Sequence, residues 1–154
     1  MNTVNEPRTG AWQRVQAVCG RCLTTNRVPR ARLADDPRCG QCGERLLDGE
    51  PVALDNNSFD PFVAKNDLPV VIDFWAGWCA PCRVIAPAFD SVARDLKSSV
   101  RFAKVDVDAS AAVARSFSVS SIPTLVLFQD GKEVRRVAGV MSATQLRSWI
   151  NAAE

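Results

Sequence analysis

The chain of 154 residues contains no histidine. That removes the usual acid/base group near neutral pH and the commonest metal ligand together. Any base or metal ligand must come from Cys, Asp, Glu or Lys. No stretch approaches the roughly 20 apolar residues of a membrane span. Met1 to Val18 carries Asn, Glu, Arg and Gln and lacks the apolar core of about 7–15 residues that a secretory signal needs. A cytoplasmic location is therefore expected. Neither internal repeats nor low-complexity tracts occur. The net charge is only +2, so bulk charge demands neither nucleic acid nor an anionic membrane.

Hydrophobic residues make up 47% and charged residues 23% of the chain, a globular balance. The six cysteines form three Cys-x-x-Cys pairs: Cys19/Cys22, Cys39/Cys42 and Cys79/Cys82. In a reducing compartment such pairs point to metal or redox chemistry and not to a disulfide framework. Residues 1 to about 48 hold eight arginines and no lysine, with few core formers. A segment so poor in apolar residues needs a staple to fold.

From about residue 51 the pattern becomes alternating strand and helix. Pro51 to Asn56 reads as a strand, and Asn57 or Ser58 caps a helix through Phe59, Phe62 and Val63. Pro69 to Trp75 is an apolar run broken by Asp73, as in a buried parallel strand. Cys79 to Leu96 is helical by spacing, with Pro87 expected to kink it. Val100 to Val107 is a strand and Ala109 to Phe117 a helix. Thr124 to Phe128 and Glu133 to Ala138 flank a hairpin turn at Gln129–Lys132, and Ser142 to Asn151 closes the chain as an amphipathic helix. The expected fold class is α/β, a central mixed sheet flanked by helices.

Cys79 follows a buried strand and opens a helix, where free N–H groups and the helix dipole stabilise a thiolate. Cys82 lies one turn on, within reach of it. Pro81 suits the first turn, where its missing N–H costs nothing. Cys79, at the helix tip, is expected to attack a substrate disulfide, and the more buried Cys82 to resolve the mixed disulfide. Asp73, alone in an apolar strand, should have a raised pKa and serve as proton acceptor. Lys104, in the next strand, is its candidate partner. Read alone, Cys79-x-x-Cys82 is also compatible with half a zinc site or two incidental buried thiols, and Asp73 with a structural acid.

The run Asp73-Phe74-Trp75-Ala76-x-Trp78-Cys79-x-Pro81-Cys82, then Ile122-Pro123-Thr124, then Gly139, resembles the thioredoxin family from about residue 51 to 154. The resemblance implies the thioredoxin fold and a protein-disulfide reductase without organic cofactor, re-reduced by an NADPH-dependent thioredoxin reductase. It implies that Pro123 is a cis-proline against the dithiol, with Ile122 offering backbone groups to an extended substrate. Trp75, Trp78, Ile122 and Gly139 match the active-site surface, and Lys104 the lysine beside the buried acid. Trp78, Ala80, Pro81, Ile122, Pro123 and Gly139 are thus the substrate-binding candidates. Ala80 replaces the family's usual glycine, and a methyl group there should crowd substrate and shift the potential. No histidine precedes Cys82, which argues for a reductase over an oxidase or isomerase.

Cys19-x-x-Cys22, sixteen residues, then Cys39-x-x-Cys42 has the spacing of a four-cysteine zinc ribbon. Gly20, Gly40 and Gly43 suit tight turns whose N–H groups face sulfur. Arg21, Arg27, Arg38 and Arg45 are close enough in sequence to soften the −2 charge of four thiolates and one zinc ion. Zinc could supply ~10–16 kcal/mol of folding free energy, and a closed four-ligand site is structural. Two disulfides or a rubredoxin-like iron centre share the spacing. Asn26-Arg27-Val28-Pro29 with Cys39-Gly40-Gln41-Cys42-Gly43 is similar to the amino-terminal module of zinc-binding, two-domain bacterial thioredoxins. The expected organisation is a mobile leader over 1–17, a zinc module over 18–48 and a thioredoxin domain over 49–154. A competing reading makes the zinc module a redox sensor or protein-binding adaptor. Specific nucleic-acid binding is not expected, because seven acids lie among the arginines through Asp55 and Trp12 stands without an aromatic platform.

Overall fold

A computed structural model describes residues 13–152 of the chain. Two strands form an antiparallel hairpin at the start: β1 (Arg14–Val18) and β2 (Thr25–Pro29), with Val15 opposite Val28. The expected leader over 1–17 therefore ends too late. Arg14 to Ala17 belong to β1, where Val15 and Ala17 enter the core of the module. The alternation of Val15, Ala17 and Val28 on one face is the physical reason. Residues 1–12 of the expected leader, with Trp12, lie outside the described residues.

The remaining elements are β3 (Val52–Leu54), α1 (Phe59–Lys65), β4 (Val70–Trp75), α2 (Ala80–Asp95), β5 (Arg101–Asp106), α3 (Ala111–Ser116), β6 (Thr124–Gln129), β7 (Lys132–Ala138) and α4 (Ala143–Asn151). The five strands from β3 onward form one mixed sheet in the order β3-β5-β4-β6-β7. β3, β5 and β4 run parallel, while β6 and β7 are antiparallel. Alternate residues of β4 serve opposite faces. Val70, Ile72 and Phe74 pack with Phe59, Phe62 and Val113 of α1 and α3. Val71 packs with Ile85, Phe89, Leu146 and Ile150 of α2 and α4. Each such side chain contributes about 1.5–3 kcal/mol by burial, so β4 is held from both faces.

Several boundaries differ from expectation for local reasons. The strand expected to reach Asn56 ends at Leu54, because the Asp55 carboxylate folds back onto the N–H groups of Asn57 and Ser58 at 2.9 Å each. Asp55 thus does the side-chain capping expected of Asn57 or Ser58. The helix expected from Ala109 begins at Ala111, because Asp106 holds the N–H groups of Asp108 and Ala109 in a turn. Pro87 lies within α2 without interrupting it. The hairpin turn at Asp130-Gly131 uses two positive φ angles, 54° and 79°, the combination that matches strand twist. Ser142 and Gln145 close a reciprocal capping box at the start of α4, as the Ser-x-x-Gln spacing dictates.

The zinc-type module docks on the sheet through buried polar groups. Asn66 Oδ1 accepts from Val18 N at 2.9 Å and its amide donates to the Phe62 carbonyl at 2.7 Å. Asp67 and Gln16 exchange hydrogen bonds at 2.7 and 3.0 Å. Gly20 touches the sheet so closely that a Cβ there would meet Val52 Cγ2 at 2.8 Å. Asn66→Ala leaves the Val18 N–H buried without a partner and should lower stability by about 1–3 kcal/mol, read as a shifted urea midpoint at unchanged slope.

Candidate functional site

The dithiol site is assembled where β4 ends and α2 begins. Cys79 is the N-cap of α2, and Cys79 and Cys82 are joined as a disulfide with Cα atoms 5.3 Å apart. The Cys79 sulfur accepts from the Cys82 N–H at 3.2 Å, so an otherwise unpaired helix-terminal donor points at it. Pro81 occupies the first turn without loss of a hydrogen bond. Burial does not separate the two cysteines as expected: both are 3% exposed in this disulfide form. Both sulfurs sit in a small cluster with Ala76, against Trp75, Val107 and Ile122. What distinguishes Cys79 is its place at the helix tip and the approach of another carbonyl.

That carbonyl belongs to Ile122, 3.7 Å from the Cys79 sulfur. The Ile122–Pro123 peptide is cis. Gly139 N–H donates to the Pro123 carbonyl at 2.9 Å, which brings the three expected surface residues from two segments to one place. Trp78 is 69% exposed beside the dithiol, and Val140, next to Gly139, is also exposed. Ala80 opens α2 at the exposed end.

Asp108 was not anticipated from the sequence. Its carboxylate accepts from Trp78 Nε1 at 2.8 Å and so orients the exposed indole. The signal was available: β4 and β5 are parallel, so the residues following both strands lie at one end of the sheet. Arg83 adds a second brace, donating to the Gly77 carbonyl at 2.7 Å.

Asp73 is 1% exposed, and neither carboxylate oxygen has a hydrogen-bond partner among the described residues. By the strand alternation it shares the face of Val71, which packs under α2. Loss of solvation pushes its pKa up to about 6, opposed by Lys104 and reinforced by Asp90. Lys104 is its register neighbour on β5 but does not reach it as an ion pair. The ammonium lies 5.0 Å from the centre of the Trp75 ring. The lysine therefore acts on Asp73 through space, and its ammonium also lies over the Trp75 ring.

The other four cysteines form a separate centre. All four sulfurs of Cys19, Cys22, Cys39 and Cys42 lie within 4.8 Å of one another, and none is in a disulfide. Cys19–Cys42 and Cys22–Cys39 are each 3.6 Å apart. A zinc ion about 2.3 Å from each of four sulfurs sets them about 3.8 Å apart, so the donor set fits zinc in number, type and spacing. Backbone N–H groups of Arg21, Cys22 and Gln41 face sulfur at 3.4–3.5 Å. The two knuckles repeat one another: Leu23 N–H returns to the Cys19 carbonyl and Gly43 N–H to that of Cys39. Both turns require a left-handed residue, φ 66° at Leu23 and 81° at Gly43. Asn26 ties the knuckles together, accepting from Gly40 N at 2.9 Å and donating to the Thr24 carbonyl at 3.2 Å.

The family model described as Thioredoxin matches residues 50–152. The chain belongs to the thioredoxin family. A second model, described as Thioredoxin 2, N-terminal, matches residues 18–44, the segment of the four-sulfur cluster. Thioredoxin C-3 of Corynebacterium nephridii is 44% identical over 134 residues, spanning 87% of this chain and 92% of that protein. A thioredoxin of Mycolicibacterium smegmatis is 43% identical over 101 residues, spanning 64% of this chain and 90% of that protein. That of Porphyra purpurea is 40% identical over 94 residues, spanning 61% and 88%. The match to the first of these relatives, over 134 residues, is longer than the span 50–152 of the Thioredoxin model, and so extends beyond that domain. This thioredoxin is thus a thiol-disulfide oxidoreductase joined to a structural zinc ribbon. When bound, the metal would supply a cross-link between the two knuckles, beside the small core that Val15, Val28, Leu33, Leu46 and Leu47 already form.

The raised pKa of Asp73 has a direction for stability. The unfolded chain ionises near the ordinary value of 3.8 and the folded chain near about 6. Below both values the carboxyl is neutral in both states, and stability is lost as pH rises through that window. Asp73→Asn cannot ionise there. Wild type should lose about 2–3 kcal/mol relative to this variant between about pH 4 and pH 7, measured by denaturant unfolding of the oxidised protein. Elemental analysis with thiol counting tests the separation of the cysteines. The reduced protein should carry about one zinc per chain and about two readily alkylated thiols, with all six alkylated after chelation and unfolding.

Proposed function

We propose that this thioredoxin reduces disulfides in client proteins with Cys79 as nucleophile and Cys82 as resolving thiol. The observation that carries the assignment is the convergence on the Cys79 sulfur of the helix-terminal N–H of Cys82 and the Ile122 carbonyl, at 3.2 and 3.7 Å. The Cys79 thiolate attacks one sulfur of a client disulfide, and the other client sulfur leaves as a thiolate that takes up a proton. Asp73 accepts the proton of Cys82, directly or through one water. The Cys82 thiolate then attacks Cys79, and the second client thiolate departs as Cys79–Cys82 closes. The client gains two electrons and two protons, and the dithiol loses both.

The extended client segment runs along Ile122 and Pro123, with Trp78, Ala80, Pro81 and Gly139 as the surrounding surface. Trp78 is held for this by Asp108. Lys104 keeps Asp73 ionisable at neutral pH by opposing the burial that raises its pKa. The family works with disulfide clients and with a reductase that restores the dithiol. For this chain we assign the reductase as an NADPH-dependent thioredoxin reductase and the compartment as the cytoplasm. Among the described residues no helix is long and apolar enough to cross a membrane.

NADPH-coupled insulin reduction should disappear in Cys79→Ser. Cys82→Ser should lose turnover yet accumulate a client mixed disulfide through Cys79, seen as a dithiothreitol-sensitive band on a non-reducing gel. Retained turnover in Cys79→Ser, or trapping through Cys82 in that variant with none through Cys79 in Cys82→Ser, sinks the assignment of roles.

A further inference from the structure

The arginines near the four-sulfur cluster in sequence are engaged elsewhere. Arg21 pairs with Glu44 at 3.2 Å and Arg45 with Asp36 at 2.7 Å. Arg38 donates to the Gly43 carbonyl at 3.3 Å, and Arg27 is exposed. The buried cation at this centre comes instead from the other module. Arg101 opens β5, about sixty residues beyond the last of these cysteines. Its side chain is buried and donates from Nη1 to the Val18 carbonyl and to Asn66 Oδ1, both at 2.9 Å. Its guanidinium lies 4.8 Å from the centre of the Phe62 ring. Val18 immediately precedes Cys19, the fully buried member of the cluster.

Among the described residues no carboxylate lies within 4.0 Å of Arg101. A guanidinium does not escape burial by losing its proton, so it requires compensating negative charge. Burial lowers its proton affinity, and the negative groups that oppose this are Cys19 first and Asp48 second. Four thiolates around one divalent ion leave a charge of −2, the largest concentration of negative charge at this junction.

We infer that Arg101 is a positioning residue of the metal centre: from the sheet of the thioredoxin domain it balances the charge of the tetrathiolate and fixes the Val18 carbonyl beside Cys19. Metal occupancy and docking of the two modules are then a single coupled equilibrium, each favouring the other by the same factor. Neither module by itself contains both halves of this charge pair. Val18 and Asn66 complete the link, because one amide oxygen of Asn66 receives both the Val18 N–H and Arg101.

The test is equilibrium zinc competition on the full reduced chain against a chromophoric chelator, beside thermal unfolding. Arg101→Met keeps length and removes charge, and should bind zinc about 10- to 100-fold more weakly, as loss of groups that support metal ligands does. Arg101→Lys keeps the charge and should stay within about threefold of wild type in zinc affinity. Wild-type zinc affinity in Arg101→Met overturns the inference and leaves Arg101 a packing residue. Should Arg101→Met yield no folded protein, Arg101→Gln takes its place as the uncharged variant and is read by the same outcomes. A folded lysine variant that loses more than about tenfold also overturns the charge assignment. The inference rests on the four cysteines holding zinc; an unsubstituted chain that takes up no stoichiometric zinc sinks that reading instead, and the same titration shows it.

Discussion

The placement of β4 at the centre of the sheet, buried on both faces, is the constraint on which the reactive centre depends. Its even-numbered residues commit to the α1/α3 side and its odd-numbered residues to the α2/α4 side. A slip of one residue would invert every one of these side chains. The strand's carboxyl end therefore has one position, and Cys79, four residues beyond Trp75, has one position with it. The same alternation drives Asp73 into the interior beneath α2. Its raised proton affinity is a consequence of core packing.

The helix that follows supplies the electrostatics, and a distant segment supplies the geometry. The free N–H of Cys82 at the start of α2 faces the Cys79 sulfur, as a helix N-terminus presents its unpaired donors. Ile122, Pro123 and Gly139 arrive from the turn before β6 and the end of β7, which the sheet order brings to the same edge. Trp78 is exposed yet not free, because Asp108 after β5 holds its indole N–H. The surface around the dithiol is thus held from beneath by polar contacts.

The zinc ribbon is joined to this domain through polar groups that are costly to leave unpaired. Asn66 satisfies Val18 and Arg101 together, and Arg101 reaches the backbone beside Cys19. Such contacts are directional, so they specify how the modules meet more sharply than apolar packing alone. Gly20 adds a steric condition, since nothing larger fits against Val52.

Much of this was legible in the chain itself. Period-two alternation in β4, the Cys-x-x-Cys pair after it, the paired knuckles and the Ser142–Gln145 cap are local patterns, and local patterns survive in sequence. Element ends were less legible where a side chain competed with the backbone, as Asp55 and Asp106 do. The strand at Arg14 to Val18 is hard to read from sequence because it shows only three buried residues before the first cysteine, too short a run to stand as a strand without its partner β2. By itself the sequence determined the chemical groups and their sorting: which two sulfurs meet at a helix tip, which four cluster, and which acid is buried. Tertiary structure alone decided what surrounds them. The equal burial of Cys79 and Cys82, the Trp78–Asp108 bond, the ring beneath Lys104 and the arrival of Arg101 beside Cys19 all depend on residues far apart in the chain. Only the packing of the sheet sets those distances, and no local spacing encodes them.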